Sequence, residues 1–407
     1  MKVAKLSSTS PKSIGIVLVV FALVLLNLSL GYAEEVRGVA SDTVKIGFIM
    51  DQTGPIADTS LPITAGVRNY FQWINDQGGI HGRKIKVLVE DDRYSIPMAL
   101  AAFKKLVYKD KVLAILALGG TGQTKVLSHH MEKEKVPGIT VGLTEDMVKP
   151  YKRYLFIPCA TYEDEIKVIF RYISEELRLK DIRIGFITMN IEYGKVGWEA
   201  AVETAKSYGL EIVDKEIINF GAADAVSQVL GLKKKNANLV ILHQDIGTAL
   251  VFLKSAKKLG YTGTFIGTYY VTDDTVVRIA GEAARPLIGV HSLASWHEDT
   301  PGMAKVREIT LKYDPGFKEA MRNKFYTQGW ITALITAEGM KKSGRNLTIE
   351  GLVDGMESLK NLDTGGITAP ISYSKTSHKP GDYCKMYKAD VPNKRMVSTS
   401  GWLRPKE

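Results

Sequence analysis

The 407-residue chain holds two cysteines and seven histidines, and beyond residue 33 it has no run long and apolar enough to cross a bilayer. Two cysteines, Cys159 and Cys384, admit at most one bridge, so the fold cannot rest on a disulfide framework. Catalytic signatures are missing as well. There is no Gly-x-Ser-x-Gly, no phosphate-cradling Gly-x4-Gly-Lys-Ser/Thr, no His-Glu-x-x-His and no Cys/His metal spacing. His129 and His130 are adjacent in a helical segment and therefore point to different faces, a poor arrangement for chelation. These absences leave no nucleophile–base pair to name, and no metal or cofactor is expected.

Charge of one sign is in modest excess. Lys and Arg total 54 against 44 Asp and Glu, a net charge of +10. The first 33 residues hold Lys2, Lys5 and Lys12 and no acid, so seven of those charges belong to the remainder. There the short runs 233–235 and 257–258 sit in helix-like stretches among acidic residues, without interleaved aromatics. Such runs are solvated helix faces, and no nucleic-acid partner is expected.

What is present begins with a leader. A basic stretch to Ser13 is followed by an apolar run over residues 14–30, then Gly31-Tyr32-Ala33 with small residues three and one before the next position. That is the layout of a secretory signal peptide over residues 1–33, cleaved near Ala33. No cysteine follows the apolar run, so no lipid anchor is expected.

The remaining length suits two domains. Strand-like runs at 44–50, 85–90, 112–116 and 137–141 alternate with helical periodicity at 63–74, ~97–109 and ~121–134. The pattern repeats, with strands at 182–187, 211–213, 239–242, 264–267 and 287–291 and helices between them. Two βαβα runs predict two parallel sheets, each covered on both faces by helices. From Trp296 onward come a long helix near 328–342, a second near 349–359 and β-like pieces from 367 to 402. The pattern alone does not assign those last pieces to either sheet.

Ligands of open parallel sheets bind beyond the carboxyl ends of the strands. In the first run those loops are Gly119-Gly120-Thr121-Gly122 and Gly142-Leu143-Thr144-Glu145-Asp146. Free N–H groups and a hydroxyl at a helix N-terminus suit a carboxylate. In the second run they are residues 190–194 with Tyr193, His243-Gln244-Asp245, and Thr268-Tyr269-Tyr270. A tyrosine there packs an apolar body while presenting a hydroxyl.

The stretch 44–92 reads VKIGFIM…TGP…AGVRNYFQWINDQGGIHGRKIKVLVEDD. It resembles the opening of the periplasmic leucine/isoleucine/valine-type binding proteins of ABC transporters. The likeness continues through Lys135-Val136-Pro137, Glu192-Tyr193-Gly194 and residues 279–284, IAGEAA. The resemblance implies an α/β type I periplasmic-binding fold: two doubly wound parallel-sheet lobes joined by a three-segment hinge that close like a Venus flytrap. It places 44–158 plus 292–365 in an N-terminal lobe, and 159–291 plus 366–402 in a C-terminal lobe. It also implies a small-molecule ligand, an inner-membrane ABC permease as partner, a monomer, and a periplasmic location. A ligand sensor of the same fold is the alternative.

The family's carboxylate-binding Ser-Ser falls on Gly120 and Thr121, and its Ser-Ala-Thr loop on Gly142, Leu143 and Thr144. Its second-lobe tyrosine falls on Tyr193. The acid that pairs with an amino-acid ammonium falls on Tyr269, and the aromatic shelf of the first loop falls near Thr59. A buried ammonium without a counter-ion is costly. So either Asp245 replaces the missing acid, or the ligand is a carboxylate or amide without an ammonium. The expected ligand contacts are therefore Gly120, Thr121, Gly142, Leu143, Thr144, Tyr193, Asp245 and Tyr269.

Overall fold

A computed structural model describes residues 36–177 and 179–406, so the leader and its cleavage site lie outside the described residues. Among the described residues no helix is long and apolar enough to cross a membrane. Cys159 and Cys384 are both buried and unbridged.

Five short strands build the first sheet: β1 (Thr43–Ile49), β2 (Lys84–Glu90), β3 (Ala114–Ala117), β4 (Gly138–Thr140) and β5 (Leu155–Phe156). They are all parallel, in the order β2-β1-β3-β4-β5. β3 is buried along its whole length, as a central strand covered on both faces must be. The second sheet takes β6 (Ile184–Thr188), β7 (Ile212–Ile217), β8 (Leu239–Leu242), β9 (Thr264–Gly267) and β10 (Leu287–His291) in the corresponding order, β7-β6-β8-β9-β10, again parallel. The late β-like residues resolve into β11 (Lys385–Asp390), antiparallel to β10, and β12 (Arg395–Ser398), antiparallel to β11. The second sheet is therefore mixed at one edge, where the alternating pattern alone predicts parallel strands only.

The helices are α1 (Ala57–Asp76), α2 (Ile96–Lys104), α3 (Thr121–Glu134), α4 (Tyr162–Glu175), α5 (Glu192–Ser207), α6 (Val226–Lys234), α7 (Ile246–Lys258), α8 (Asp274–Ala280), α9 (Pro301–Tyr313), α10 (Lys324–Ser343) and α11 (Ile349–Glu357). α1 begins six residues before the periodic stretch that predicts it and carries Pro62 inside. α2 ends at Lys104 and continues as one π-helical turn, Lys105–Lys109, which buries Leu106 and Val107. The periodicity reading lacks α4 and α9. α4 carries a strong local signal: Thr161 accepts from the Asp164 N–H, and the Asp164 carboxylate accepts from the Thr161 N–H, a reciprocal cap. α10 packs on α1 and α11, with Asn69 donating to the Tyr326 hydroxyl at 3.0 Å. The late helices thus cover the first sheet while the last strands extend the second.

Both sheets share one topological feature. β1 lies between β2 and β3, and β6 lies between β7 and β8. At these points consecutive crossovers leave in opposite directions, and the loops beyond the strand ends part to leave a crevice.

Candidate ligand-binding cleft

The two crevices face each other around one cleft of about 420 Å³ of space unfilled by atoms, its mouth included. The first lobe supplies Met50, Ile56 and Thr59 after β1, Tyr94 after β2, and Gly120 and Thr121 after β3. The second supplies Met189, Ile191 and Tyr193 around the β6–α5 junction, Phe220 after β7, Asp245 after β8, and Tyr270 after β9. Tyr94 and Phe220 meet across the cleft edge to face, 5.8 Å between ring centroids. Lys125 of α3 pairs with Glu192 of α5 across the same gap, an exposed bridge worth at most about 1 kcal/mol.

The first-lobe wall is a helix start. Ala117, Leu118 and Gly119 all take left-handed backbone (φ 71, 63 and 70), turning the chain sharply out of β3 into α3. Two of these are not glycine, so the turn holds strain of the kind that collects at functional sites. Gly120 is the N-cap residue and no side chain caps it, so the first N–H groups of α3 open on the cleft. A Cβ on Gly120 would lie 2.4 Å from the Tyr94 ring. Gly120 therefore costs the site a hydroxyl but makes room for an aromatic wall. Tyr94 is itself left-handed (φ 56), and its N–H is held by Asp92 Oδ1 at 3.0 Å. Burial, then Asp51 and Asp91, push the fully enclosed Asp92 carboxyl up to about 6.

The second-lobe wall is a closed polar relay. His243 is fully buried, and its ring stacks on Tyr193 with centroids 3.8 Å apart. Its Nε2 lies 3.0 Å from the Tyr193 carbonyl, which can only accept, so Nε2 carries the proton. Nδ1 then accepts from the Thr268 hydroxyl at 3.0 Å, and the Tyr193 hydroxyl donates to Thr268 Oγ1 at 3.1 Å. Burial pushes the imidazole down to about 3, so it is neutral. Gly197 of α5 is required here, because a Cβ would lie 2.2 Å from the His243 ring.

Asp245 caps α7, accepting from the Gly247 N–H (2.9 Å), the Thr248 N–H (3.1 Å) and the Thr248 hydroxyl. In the first turn of α1, on the first lobe, Asp58 lies within reach of the Asp245 charge. Partial burial, then Asp245 and Asp273, push its carboxyl up to about 6.

Four of the eight residues expected from sequence line the cleft: Gly120, Thr121, Tyr193 and Asp245. The other four do not. Gly142 lies beneath the α3 N-terminus, with its N–H donated to Thr140 at 2.9 Å. Leu143 is fully buried and its carbonyl accepts from the Tyr162 N–H at 2.7 Å. The buried Thr144 hydroxyl is spent on Glu163 at 2.7 Å. Tyr269 is fully buried on the far side of the turn that Thr272 N–H closes onto the Thr268 carbonyl. It packs on Phe325 and donates its N–H to Glu165 at 2.9 Å, with the Lys324 ammonium 5.1 Å from its ring centre. Burial lowers Lys324, opposed by Asp273, and raises Glu165 well above the usual carboxylate range.

Its neighbour Tyr270 faces the cleft instead, edge-on to Tyr193 at 5.3 Å, with its hydroxyl 3.2 Å from that of Tyr162. Tyr94, Phe220 and the methionines were not in the sequence reading. Tyr94 follows the Asp91-Asp92 pair in a loop beyond a strand end, the one sequence signal by which it could have been found.

A family described as periplasmic binding protein matches residues 43–395. The leucine-, isoleucine-, valine-, threonine-, and alanine-binding protein of Pseudomonas aeruginosa is 25% identical, over 75% of this chain and 80% of its own length. The Leu/Ile/Val-binding protein of Escherichia coli is 25% identical, over 61% of this chain and 67% of its own. Among solved structures, a branched chain amino acid ABC transporter from Thermus thermophilus with bound valine superposes with a TM-score of 0.83 at 23% identity, covering 90% of this chain and 97% of the other. A fatty acid ABC transporter substrate-binding protein from Thermomonospora curvata gives 0.82 at 22%, covering 92% and 95%. Both share the type I periplasmic-binding fold with this chain.

Proposed function

Because this chain belongs to the periplasmic binding protein family, whose members bind solutes and are not enzymes, we propose that it captures a small carboxylate with an apolar body and delivers it to an inner-membrane ABC permease. The lobes that close on it are 44–158 plus 292–365 and 159–291 plus 366–402, and the chain works as a periplasmic monomer. One observation carries the ligand class: the uncapped N-terminus of α3 opens on a cleft walled by Tyr94, Tyr193, Phe220 and Tyr270. The N–H groups of α3 hold the carboxylate, and the four rings enclose the apolar body. Micromolar affinity, about −8 kcal/mol, is what such a contact set has to supply after the cost of closing the lobes.

A second reading, an α-amino acid, is favoured by Asp58 and Asp245, two carboxyls from opposite lobes close enough for one charge to raise the other. An ammonium between them would relieve their repulsion and lower the Asp58 carboxyl again.

A thermal-shift comparison of leucine with 4-methylpentanoate, on protein refolded to strip bound ligand, separates the two. The acids share the carboxylate and side chain and differ by the amine. At 100 times its Kd a ligand stabilises by about 2.7 kcal/mol. Stabilisation by 4-methylpentanoate equal to or above that by leucine supports the carboxylate reading. Stabilisation by leucine alone gives the ammonium to Asp58 and Asp245. Silence from both, with response only to uncharged amides, removes the α3 N-terminus from ligand binding.

A further inference from the structure

A second groove lies on the first lobe between α1, α9, α10 and the loop 362–367, with about 870 Å³ of unfilled space including its mouth. It shares no lining residue with the cleft. Its floor is aromatic. Tyr70 meets Trp330 edge to face at 5.1 Å, and Trp73 lies nearly parallel to Trp330, 22° and 6.3 Å apart.

Tyr70 and Trp330 are only 3% and 2% exposed, yet neither the phenol nor the indole N–H has a hydrogen-bond partner among the described residues. Neither atom is sealed from solvent, so both are left to the groove. Two donors that reach the groove and are not spent on the protein are free to bond an occupant that displaces water from them.

The rim decides the charge of the occupant. Lys305 and Lys341 are balanced by Glu338 and Asp363. Lys305 already stands over the Trp73 ring at 4.7 Å, so an added cation is repelled from that face. Glu338, paired with Lys341 at 2.7 Å, and Asp363, which spends one oxygen on the Gly365 N–H at 2.8 Å, repel an anion. A hydroxyl suits both sets, accepting from the phenol and indole and donating to the carboxylates.

We propose that this groove binds a neutral, hydroxyl-bearing ring, a sugar, packed by its C–H face on the half-buried Trp73 in place of the Lys305 ammonium and bonded through its hydroxyls to Tyr70, Trp330 and Asp363. The site is separate from the transported solute and holds whether or not the carboxylate reading of the cleft does.

Isothermal titration of the full chain with maltose and with N,N′-diacetylchitobiose is the test. Saturable binding of at least one is expected, weakened tenfold or more in Trp73→Ala and several-fold in Tyr70→Phe, and unchanged in Tyr270→Ala in the cleft. Tyr70→Phe removes one oxygen and keeps the ring packing, so it stays informative if Trp73→Ala fails to fold. A pull-down on insoluble chitin separates a polymer-bound sugar from a free one, and retention there supports the same site when Tyr70→Phe reduces it. The proposal is overturned if neither disaccharide binds at 20 mM and chitin retains nothing. Binding indifferent to Trp73→Ala and Tyr70→Phe, or lost in Tyr270→Ala, overturns it too. So does a groove that answers only to choline or acetate.

Discussion

The two walls of the cleft are built on the same strand order but spend their polar groups differently. On the first lobe the α3 N-terminus leaves N–H groups open, and Gly120 withholds a side chain so that Tyr94 can stand there. On the second lobe the polar atoms are used up internally. His243, Thr268 and Tyr193 bond one another, and Asp245 is occupied by the cap of α7. One wall therefore offers directional bonds and the other mainly shape. Under the proposed carboxylate reading, selectivity for charge falls to the first wall and selectivity for size to the second.

The largest effect that sharpens this contrast lies just outside it. Tyr269→Ala removes a buried ring from beneath the second wall and is expected to cost about 3–5 kcal/mol of stability in urea unfolding. Tyr269→Phe deletes only a hydroxyl without a partner and is expected to leave both stability and ligand affinity within twofold of the parent. A large affinity loss in the phenylalanine variant would return Tyr269 to the cleft.

Next is Gly197→Ala, which drives a methyl into the His243 ring and is expected to destabilise by about 1–3 kcal/mol. Tyr270→Ala and Gly120→Ala, by opening or displacing an aromatic wall, are expected to weaken ligand binding about tenfold, close to 1.4 kcal/mol in calorimetry. Gly120→Ala acts by pushing Tyr94 aside, so an unchanged affinity there would remove Tyr94 from the site.

The pH effect isolates the second wall. His243 is held near 3, below its ordinary value of 6.5, so between those values the unfolded chain binds the proton and the folded chain does not. Its contribution is complete above pH 6.5 and is lost as pH falls toward 3, by about 1.4 kcal/mol per unit. Asp92 works in the opposite sense: its carboxyl, raised to about 6, binds a proton more readily folded than unfolded, so its penalty fades as pH falls from 6 toward 4. Subtracting the pH profile of His243→Gln from that of the parent separates the two, and identical slopes would contradict a neutral buried imidazole.

The smallest effect belongs to the first wall. Thr121→Val is expected to weaken carboxylates three- to tenfold and neutral amides hardly at all. Equal losses would mean that Thr121 packs rather than polarises.

Much of the fold was legible because its signals are local. β9 and β10 coincide with their apolar runs at 264–267 and 287–291, and the loops singled out after the strands supply Gly120, Thr121, Tyr193, Asp245 and Tyr270 to the cleft lining. Composition and periodicity did not reveal α9, whose first turn holds Pro301 and Gly302, or the antiparallel seat of β11, whose partner β10 lies nearly a hundred residues earlier.

The chain itself determined two βαβα runs, a helix start with open N–H groups at Gly120-Thr121, and the lack of the familiar catalytic motifs, because periodicity, capping and motif spacing are properties of neighbours in sequence. Tertiary structure alone decided that Tyr270 and not Tyr269 faces the cleft, that Tyr94 fills the space Gly120 vacates, and that Asp58 comes within reach of the Asp245 charge. Each of those depends on which way a turn carries a side chain, or on two segments more than twenty residues apart being pressed together, and no pattern of adjacent residues encodes it.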